Sequence, residues 1–183
     1  MKMMKDDYVI ILDFFPHGKA GDRKAEPVAQ GMGEKFFSLL EIVVNEGEQV
    51  KVGDRIYVGD GKWDKVKYIR GRINYTDLTN FAKGELENII LGLIDSDEQR
   101  FVNFFNKATP LTTRSHTLEL LPGIGKKHLW QILSQRKVEP FKSFKDLQER
   151  VEMLPDPKKM IVKRIINELE ETDRHSLFVG GLF

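Results

Sequence analysis

A turn with two glycines, set between two apolar patterns of helical period, limits what this chain can fold into more than any other feature. The turn is Pro122 to Gly125, and apolar residues recur on both sides of it. Glycine lacks a Cβ, so the backbone at Gly123 and Gly125 can take bends that are closed to other residues. We therefore predict two helices joined tightly around a small core. The residues expected in that core are Leu118, Leu121, Ile124, Leu129, Ile132 and Leu133.

The same turn is suited to binding an anion. Without side chains at Gly123 and Gly125 the backbone can lie against a phosphate, and the first N–H groups of the next helix have no acceptor within that helix. Lys126 and Lys127 add positive charge there. Such contacts reach the sugar-phosphate backbone and not the base edges, so we expect little sequence preference and a strong dependence on salt. The alternative is a plain connection between two helices.

The stretch from Leu118 to Leu133 resembles the helix-hairpin-helix module, in which two helices flank a Gly-hydrophobic-Gly turn. A second stretch around Leu154 to Lys159 looks like a degenerate copy, and tandem modules of this kind form a four-helix unit. Its turn has no glycine, and Pro157 has no N–H, so close approach of a phosphate is not expected there. The resemblance implies that the nucleic-acid-binding residues of the two turns are Leu121, Pro122, Gly123, Ile124, Gly125, Lys126, Lys127, Lys158, Lys159 and Lys163.

The front of the chain has the pattern of short strands. Apolar runs at Tyr8 to Leu12, Phe36 to Val44, Arg55 to Val58 and Lys65 to Tyr75 are separated by turn residues. Several short strands with turn signals are typical of a compact β-barrel or curled sheet, and an OB-like or S1-like barrel is the expected form. The polar segment from Pro16 to Lys35 has no periodicity, so we expect a mobile loop.

Basic and aromatic side chains are interleaved in the last of these strands and the turn before it. That mixture suits single-stranded nucleic acid, because cations follow phosphates while aromatic rings stack on bases. Regular alternation would divide the cations between the two faces of the strand unless a bulge intervenes near Gly71. The candidate residues are Lys62, Trp63, Lys65, Lys67, Tyr68, Arg70 and Arg72.

After Asp77 the hydrophobic period becomes helical. A first helix is expected to end near Ser96, which would cap a second helix whose buried side is Phe101, Val102, Phe104 and Phe105. Pro110 breaks the helical pattern and marks a boundary. We therefore predict an α+β protein of two domains: an OB-like β-barrel with appended helices over residues 1–110, and an all-α tandem helix-hairpin-helix domain over residues 111–183.

Composition limits the chemistry. There are no cysteines, which excludes disulfides, thiolate catalysis and cysteine-bound metals. No apolar run is long enough to span a membrane, and the first residues lack the apolar core of a signal peptide, so a cytoplasmic location is expected. The net charge is only +1, but basic residues outnumber acidic ones between Lys126 and Arg164, so a locally positive surface can form.

Motifs of catalysis are not found in the sequence. The glycine turn has neither the length nor the hydroxyl of a phosphate-binding Walker loop. His17, His116, His128 and His175 lie far apart, and we expect each at the surface. Carboxylates near Asp95 and Glu168 fit helix ends or solvated faces better than a magnesium site. We therefore predict no enzymatic activity, no cofactor and no metal.

The order of a β-rich front and tandem hairpins resembles an archaeal family of unknown function that is described as predicted nucleic-acid or RNA binding. The resemblance implies a non-catalytic protein that binds RNA or DNA through the hairpin turn and a basic barrel face. Two alternatives stay open: a protein-interaction adaptor in a nucleic-acid-processing assembly, docking through its helices and the tail from Ser176 to Phe183, and a metal-dependent nuclease.

Overall fold

A computed structural model of the protein describes residues 4–181 and 183. Over that part of the chain five strands are followed by five α-helices, so the predicted α+β class is confirmed. The strands are β1 Tyr8–Phe15, β2 Val28–Gly33, β3 Leu39–Val44, β4 Arg55–Tyr57 and β5 Val66–Arg72. The helices are α1 Asn80–Ser96, α2 Glu98–Lys107, α3 Lys126–Val138, α4 Phe144–Arg150 and α5 Pro157–Leu169.

The strands form one curled antiparallel sheet in the order β4-β1-β2-β3-β5. Alternate side chains of neighbouring strands point to the same face, and there they build a common core. That core includes Val9, Ile11, Ile42, Val44, Ile56 and Val66. The short strand β4 and the longer β5 are the two edges of the sheet, so the curled sheet is confirmed, whereas the OB-like barrel stays a prediction.

The expectation of a mobile loop over Pro16 to Lys35 was wrong for the second half of that segment. Strand β2 lies there, it is the middle strand of the sheet, and it is buried at every position. Two of its residues are glycines, which hide the strand pattern. A Cβ on Gly31 would lie 3.2 Å from the Cβ of Val9, and one on Gly33 would overlap the carboxylate of Asp6. Close packing therefore accounts for both glycines.

The chain divides into two compact units. One comprises Met1–Ile89 and Asn167–Leu182, and the other comprises Ile90–Ile166 and Phe183. The divisions fall within the sequence ranges of α1 and α5, and Pro110 lies inside the second unit. Around that proline the chain makes a tight turn, in which the N–H of Leu111 donates to the carbonyl of Ser115 at 3.0 Å. A helix-breaking residue thus marks a turn within a unit.

The predicted aromatic side of α2 is buried. Phe101, Phe104 and Phe105 are almost inaccessible, and the ring centroid of Phe105 lies 6.5 Å from that of Phe144. The expected cap at Ser96 was wrong. Ser96 is the last residue of α1, and its hydroxyl donates 2.9 Å back to the carbonyl of Leu93.

The tail after α5 is held by one carboxylate. Leu177 and Phe178 are buried, and Oε1 of Glu168 accepts their N–H groups at 2.6 and 3.0 Å and that of Val179 at 3.2 Å. These tail residues are therefore core of the first unit; Leu182, also part of the proposed docking tail, lies outside the described residues. None of the helices in the described part combines the length and the apolar character that crossing a bilayer requires.

Candidate nucleic-acid interface

The glycine turn lies between a single 3-10 turn and α3. The segment Thr117–Leu120 forms the 3-10 turn where a first helix was expected. His116 and Glu119 cap the start of this turn reciprocally, because the His116 ring accepts the N–H of Leu118 and the Glu119 carboxylate accepts the N–H of His116. The N–H of Ile124 donates 3.2 Å to the carbonyl of Leu121 and closes the bend. Of the predicted core, Leu118, Leu121, Ile124, Leu129 and Ile132 are buried and Leu133 is half-buried.

The outer side of the turn faces solvent. Gly123, Gly125, Lys126 and Lys127 are exposed, while Pro122 is half-buried. Gly123 has a φ of +99°, and a Cβ there would lie 3.3 Å from the sulfur of Met160, so the fold itself favours glycine. Gly125 differs: its φ is −102°, which any residue adopts, and nothing lies within 4 Å of a Cβ built on it.

The start of α3 has free hydrogen-bond donors. Gly125 is the N-cap residue and supplies no side-chain acceptor. The first helical bond runs from the N–H of Leu129 to the carbonyl of Gly125, at 3.0 Å. The N–H groups of Lys126, Lys127 and His128 precede that bond, so they have no acceptor within the helix. They point along the helix axis towards its start, beside the exposed turn, where the helix dipole also favours negative charge.

The two lysines of the turn are not equivalent. Lys126 forms an ion pair of 2.7 Å with Glu119 and donates 3.2 Å to the carbonyl of Arg114. The hydrogen bond from Lys126, and then that from the N–H of His116, keep the pKa of Glu119 below its ordinary value. Lys127 is exposed and has no ion pair within the described residues. Lys127 is therefore the cation of the turn that is open to a ligand.

One histidine is buried, against the expectation that all four lie at the surface. His116 is 5% exposed, and its Nδ1 accepts the N–H of Leu118 at 3.1 Å. Burial, and then the charge of Arg136, lower the pKa of His116. Arg136 donates to the carbonyls of Phe105 and Ala108, at 3.1 and 2.8 Å. The base of the turn is thus fixed by buried polar contacts.

The second predicted turn is already occupied by a carboxylate. Asp156 precedes the first residue of α5, and its Oδ1 accepts the N–H of Lys158 at 3.0 Å. The side chain of Lys158 forms an ion pair of 2.6 Å with Asp95, and this hydrogen bond raises the pKa of Lys158. Lys159 and Lys163 are exposed. The start of α5 is therefore capped by a carboxylate of the chain itself, whereas the start of α3 has no side-chain cap.

The cations of β5 point outward because the strand is irregular. The pairing with β3 shifts register at two places, where Lys67 and Arg70 are the extra residues of β5. The second shift lies beside Gly71, where a bulge was the condition for the cations of the strand to share one face. These irregularities leave Lys67, Tyr68, Arg70 and Arg72 exposed; Lys62 and Lys65, which precede the strand, are exposed as well.

Acidic partners neutralise much of this strand face. Arg70 forms ion pairs of 3.3 Å with Asp22 and 3.0 Å with Glu41. Glu26 pairs with Lys67 at 3.0 Å and accepts the hydroxyl of Tyr68 at 2.7 Å. The hydrogen bonds from Tyr68 and then Lys67 lower the pKa of Glu26. The two acids Asp22 and Glu26 belong to the loop between β1 and β2, which sequence reasoning did not connect with β5.

The two tryptophans differ in exposure, which the sequence alone did not show. Trp63, proposed as a stacking residue, is half-buried against the sheet core, and its indole N–H donates 2.6 Å to the carbonyl of Gly59. Trp130, which was not proposed, is 65% exposed on α3. Helical periodicity places Trp130 on the side of α3 away from the apolar Leu129 and Ile132, and this pattern could have identified it as an exposed aromatic residue.

The carboxylates considered for magnesium have other partners. Asp95 pairs with Lys158, and Oε1 of Glu98 accepts the N–H of Phe144 at 3.0 Å. Glu168 binds the tail. Over residues 4–181 and 183, no three side chains of His, Asp or Glu are gathered in an arrangement that could hold a metal ion.

The fold and this site define an α+β protein with a curled antiparallel sheet and an exposed, cation-flanked glycine turn. The chain belongs to the family described as "Protein of unknown function (DUF655)", whose sequence profile matches residues 5–180. The uncharacterized protein MJ0038 of Methanocaldococcus jannaschii is 42% identical over 176 residues, covering 95% of this chain and 80% of that protein. The crystal structure of Af1531 from Archaeoglobus fulgidus matches with a TM-score of 0.87 and 45% identity, covering 95% of this chain and 99% of the other.

Proposed function

We propose that this protein binds RNA or DNA at the turn from Gly123 to Lys127 by contacting the phosphate backbone, without catalysing a reaction on it. The observation that carries the proposal is Gly125. Its φ is ordinary and its surroundings are empty, so the described part of the fold does not require glycine at this position. A missing side chain at an uncapped helix start instead leaves the backbone N–H groups open to a phosphate.

The surrounding charges support the same function. Lys127 extends from the first turn of α3 with no acidic partner among the described side chains, and Lys159 and Lys163 are exposed cations of the same compact unit. Contacts of this kind neutralise phosphates and release counterions, so they give affinity without sequence preference. The resemblance to a helix-hairpin-helix module points to the same ligand.

The sheet makes a smaller contribution in this proposal. Lys62 and Lys65 are exposed cations without an ion pair in the described part of the chain, but Lys67 and Arg70 are paired with acids. A paired cation gives up one partner to gain another, so its net gain on binding phosphate is small. The glycine turn is therefore assigned the main role.

The test is the affinity for labelled single- and double-stranded RNA and DNA at two salt concentrations. We expect Lys127→Glu to weaken binding by about tenfold at low salt and to reduce the slope of log affinity against log salt by about 1. Lys126→Glu should have a smaller effect, because Lys126 is already paired with Glu119. The same samples report whether the strands are cleaved.

Lys51→Glu is the matched control. Lys51 is exposed in the other compact unit, so its replacement makes the same change in net charge away from the turn. Equal losses in Lys127→Glu and Lys51→Glu would mean that only overall charge matters, and the turn would lose its assigned role.

A further inference from the structure

Trp130 is the most unusual surface residue of the second unit. Its side chain is 65% exposed, whereas Leu129 and Ile132 beside it in sequence are buried. Isolated apolar residues at a surface are ordinary, but an indole is the largest apolar side chain and is seldom left in water without a role. No packing within the described chain accounts for it.

Trp130 lies between cations on the exposed face of α3. At 100° per residue, Lys126 and Lys127 come one turn before it on the same side, and Lys137 comes two turns after it. The rise of 1.5 Å per residue places Lys127 about 4.5 Å before Trp130 along the axis, and Lys137 about 10 Å beyond it. An aromatic face with cations before and after it is the arrangement that binds single strands, with rings under bases and charges on phosphates.

An open groove of about 380 Å³ lies beside the indole. Polar side chains form most of its lining, which comprises Trp130, Gln131, Ser134, Gln135, Arg150 and Glu152. The groove is therefore open to the planar face of a base beside the indole, and its polar side chains lie next to that position.

We infer that Trp130 stacks on an unpaired base of the strand whose phosphate binds at Gly125. The preferred ligand is then a single strand, or a duplex with an unpaired nucleotide, because the base faces inside a continuous duplex are covered by their neighbours. This inference rests on the proposed function, since the turn supplies the phosphate contact and Trp130 supplies the preference among strands.

A protein segment is the competing occupant of this surface. Val138, on the last turn of α3, is 82% exposed, and it lies on the same side of the helix as Trp130. The groove itself argues for a base, because its lining apart from the indole is polar or charged, and a small apolar patch does not bury the area that a stable protein interface needs. Lys127 and Lys137 also match the charge of a nucleic-acid strand.

The experiment compares three 12-nucleotide fluorescein-labelled probes: oligothymidylate, the same strand with abasic sites in its centre, and a duplex. Fluorescence anisotropy gives the affinity of each. We expect Trp130→Ala to weaken binding of oligothymidylate by about tenfold, within the range known for one stacked base. Trp130→Phe, which keeps an aromatic face, should keep most of the affinity. Binding of the abasic strand and of the duplex should change little with either variant.

Two further measurements make the result specific to stacking. Oligothymidylate should quench the indole emission of the wild-type protein, and that quenching should be absent in Trp130→Phe, where only Trp63 emits. Phe81→Ala is the matched control, because Phe81 is 55% exposed on α1 and its loss removes an exposed ring elsewhere. Affinity for oligothymidylate should be unchanged in that control.

The outcomes separate this inference from the proposed function. If Lys127→Glu weakens all three probes but Trp130→Ala weakens none, base stacking is refuted and phosphate binding stands. If Trp130→Ala weakens the abasic strand as much as oligothymidylate, the indole contributes without a base, and the inference is again refuted. If neither variant changes the affinity for any probe, the proposed function fails as well, and a protein partner at Trp130 becomes the better explanation.

Discussion

Replacing Gly125 by aspartate should make the protein more stable and weaken its binding of nucleic acid. Gly125 is the N-cap of α3, and its φ of −102° and ψ of −170° suit an aspartate. The new carboxylate would accept the N–H groups of the first turn, for a gain of a few tenths of a kcal/mol over glycine. Its charge would gain a further 0.3–1 kcal/mol or so from the helix dipole. The free energy of unfolding should therefore rise by about 0.5–1 kcal/mol.

The same carboxylate would occupy the place assigned to a phosphate. The ligand would lose charge-assisted hydrogen bonds, each contributing about 1.5–3 kcal/mol, and would meet a like charge. A loss of 1.4 kcal/mol is tenfold in affinity, so we expect at least about a tenfold weakening. Asp156 already holds the corresponding position at the start of α5, so Gly125→Asp makes the first turn similar to the second.

Stability is measured by thermal unfolding and affinity by anisotropy with labelled oligonucleotides. For a chain of this length the melting temperature should rise by roughly 1–4 °C. Gly125→Asn is the control for charge, since it caps the helix without a negative charge and should weaken binding less. Gly123→Ala is the control for strain: at its φ of +99° a side chain should cost about 1–2 kcal/mol of stability.

A rise in stability with unchanged affinity would refute phosphate binding at the start of α3. A fall in stability would instead contradict the capping geometry of Gly125. The two measurements are expected to move in opposite directions, so general damage to the fold cannot imitate the result.

Two other changes test the polar contacts of each unit. Burial lowers the pKa of His116, so as pH falls towards the ordinary value of 6.5 the unfolded chain binds a proton at this residue before the folded chain does. The free energy of unfolding, measured in urea, should therefore decrease from pH 7.5 to about 5.5. In His116→Asn the contribution of this residue to that decrease should be absent. The double change Asp22→Asn and Glu26→Gln removes the acid paired with Lys67 and one of the two acids paired with Arg70, whose ion pair with Glu41 remains. Affinity for single strands should rise severalfold at low salt, and an unchanged value would count against a role of Lys67 in binding.

The periodicity of apolar residues in the sequence was sufficient to predict which side chains of a helix are buried. The buried phenylalanines of α2 and the buried Leu129 and Ile132 of α3 follow from helical period. Strand β2 could not be found in this way, because Gly31 and Gly33 carry no hydrophobic signal. These positions are glycine because Val9 and Asp6, on a strand and a loop more than twenty residues earlier, leave no room for a side chain.

The structure shows that the glycine turn is exposed, whereas anion binding there stays a prediction. The ion pairs of the nearby lysines could not be predicted from the sequence. The ion pair of Lys158 with Asp95, for example, joins two residues 63 positions apart. Side chains that meet only after folding leave no periodic trace in the sequence, so the acids that neutralise a basic stretch have to be seen in the structure.

The division of the chain also bears on the order in which the protein folds during synthesis. The second unit is almost one continuous stretch, Ile90–Ile166, whereas the first needs residues from both ends of the chain. Leu177 and Phe178 are the last parts of the first core to leave the ribosome, and closing so long a loop is slow relative to forming local contacts. The helical unit is thus able to form before the last buried residues of the first unit have been synthesised.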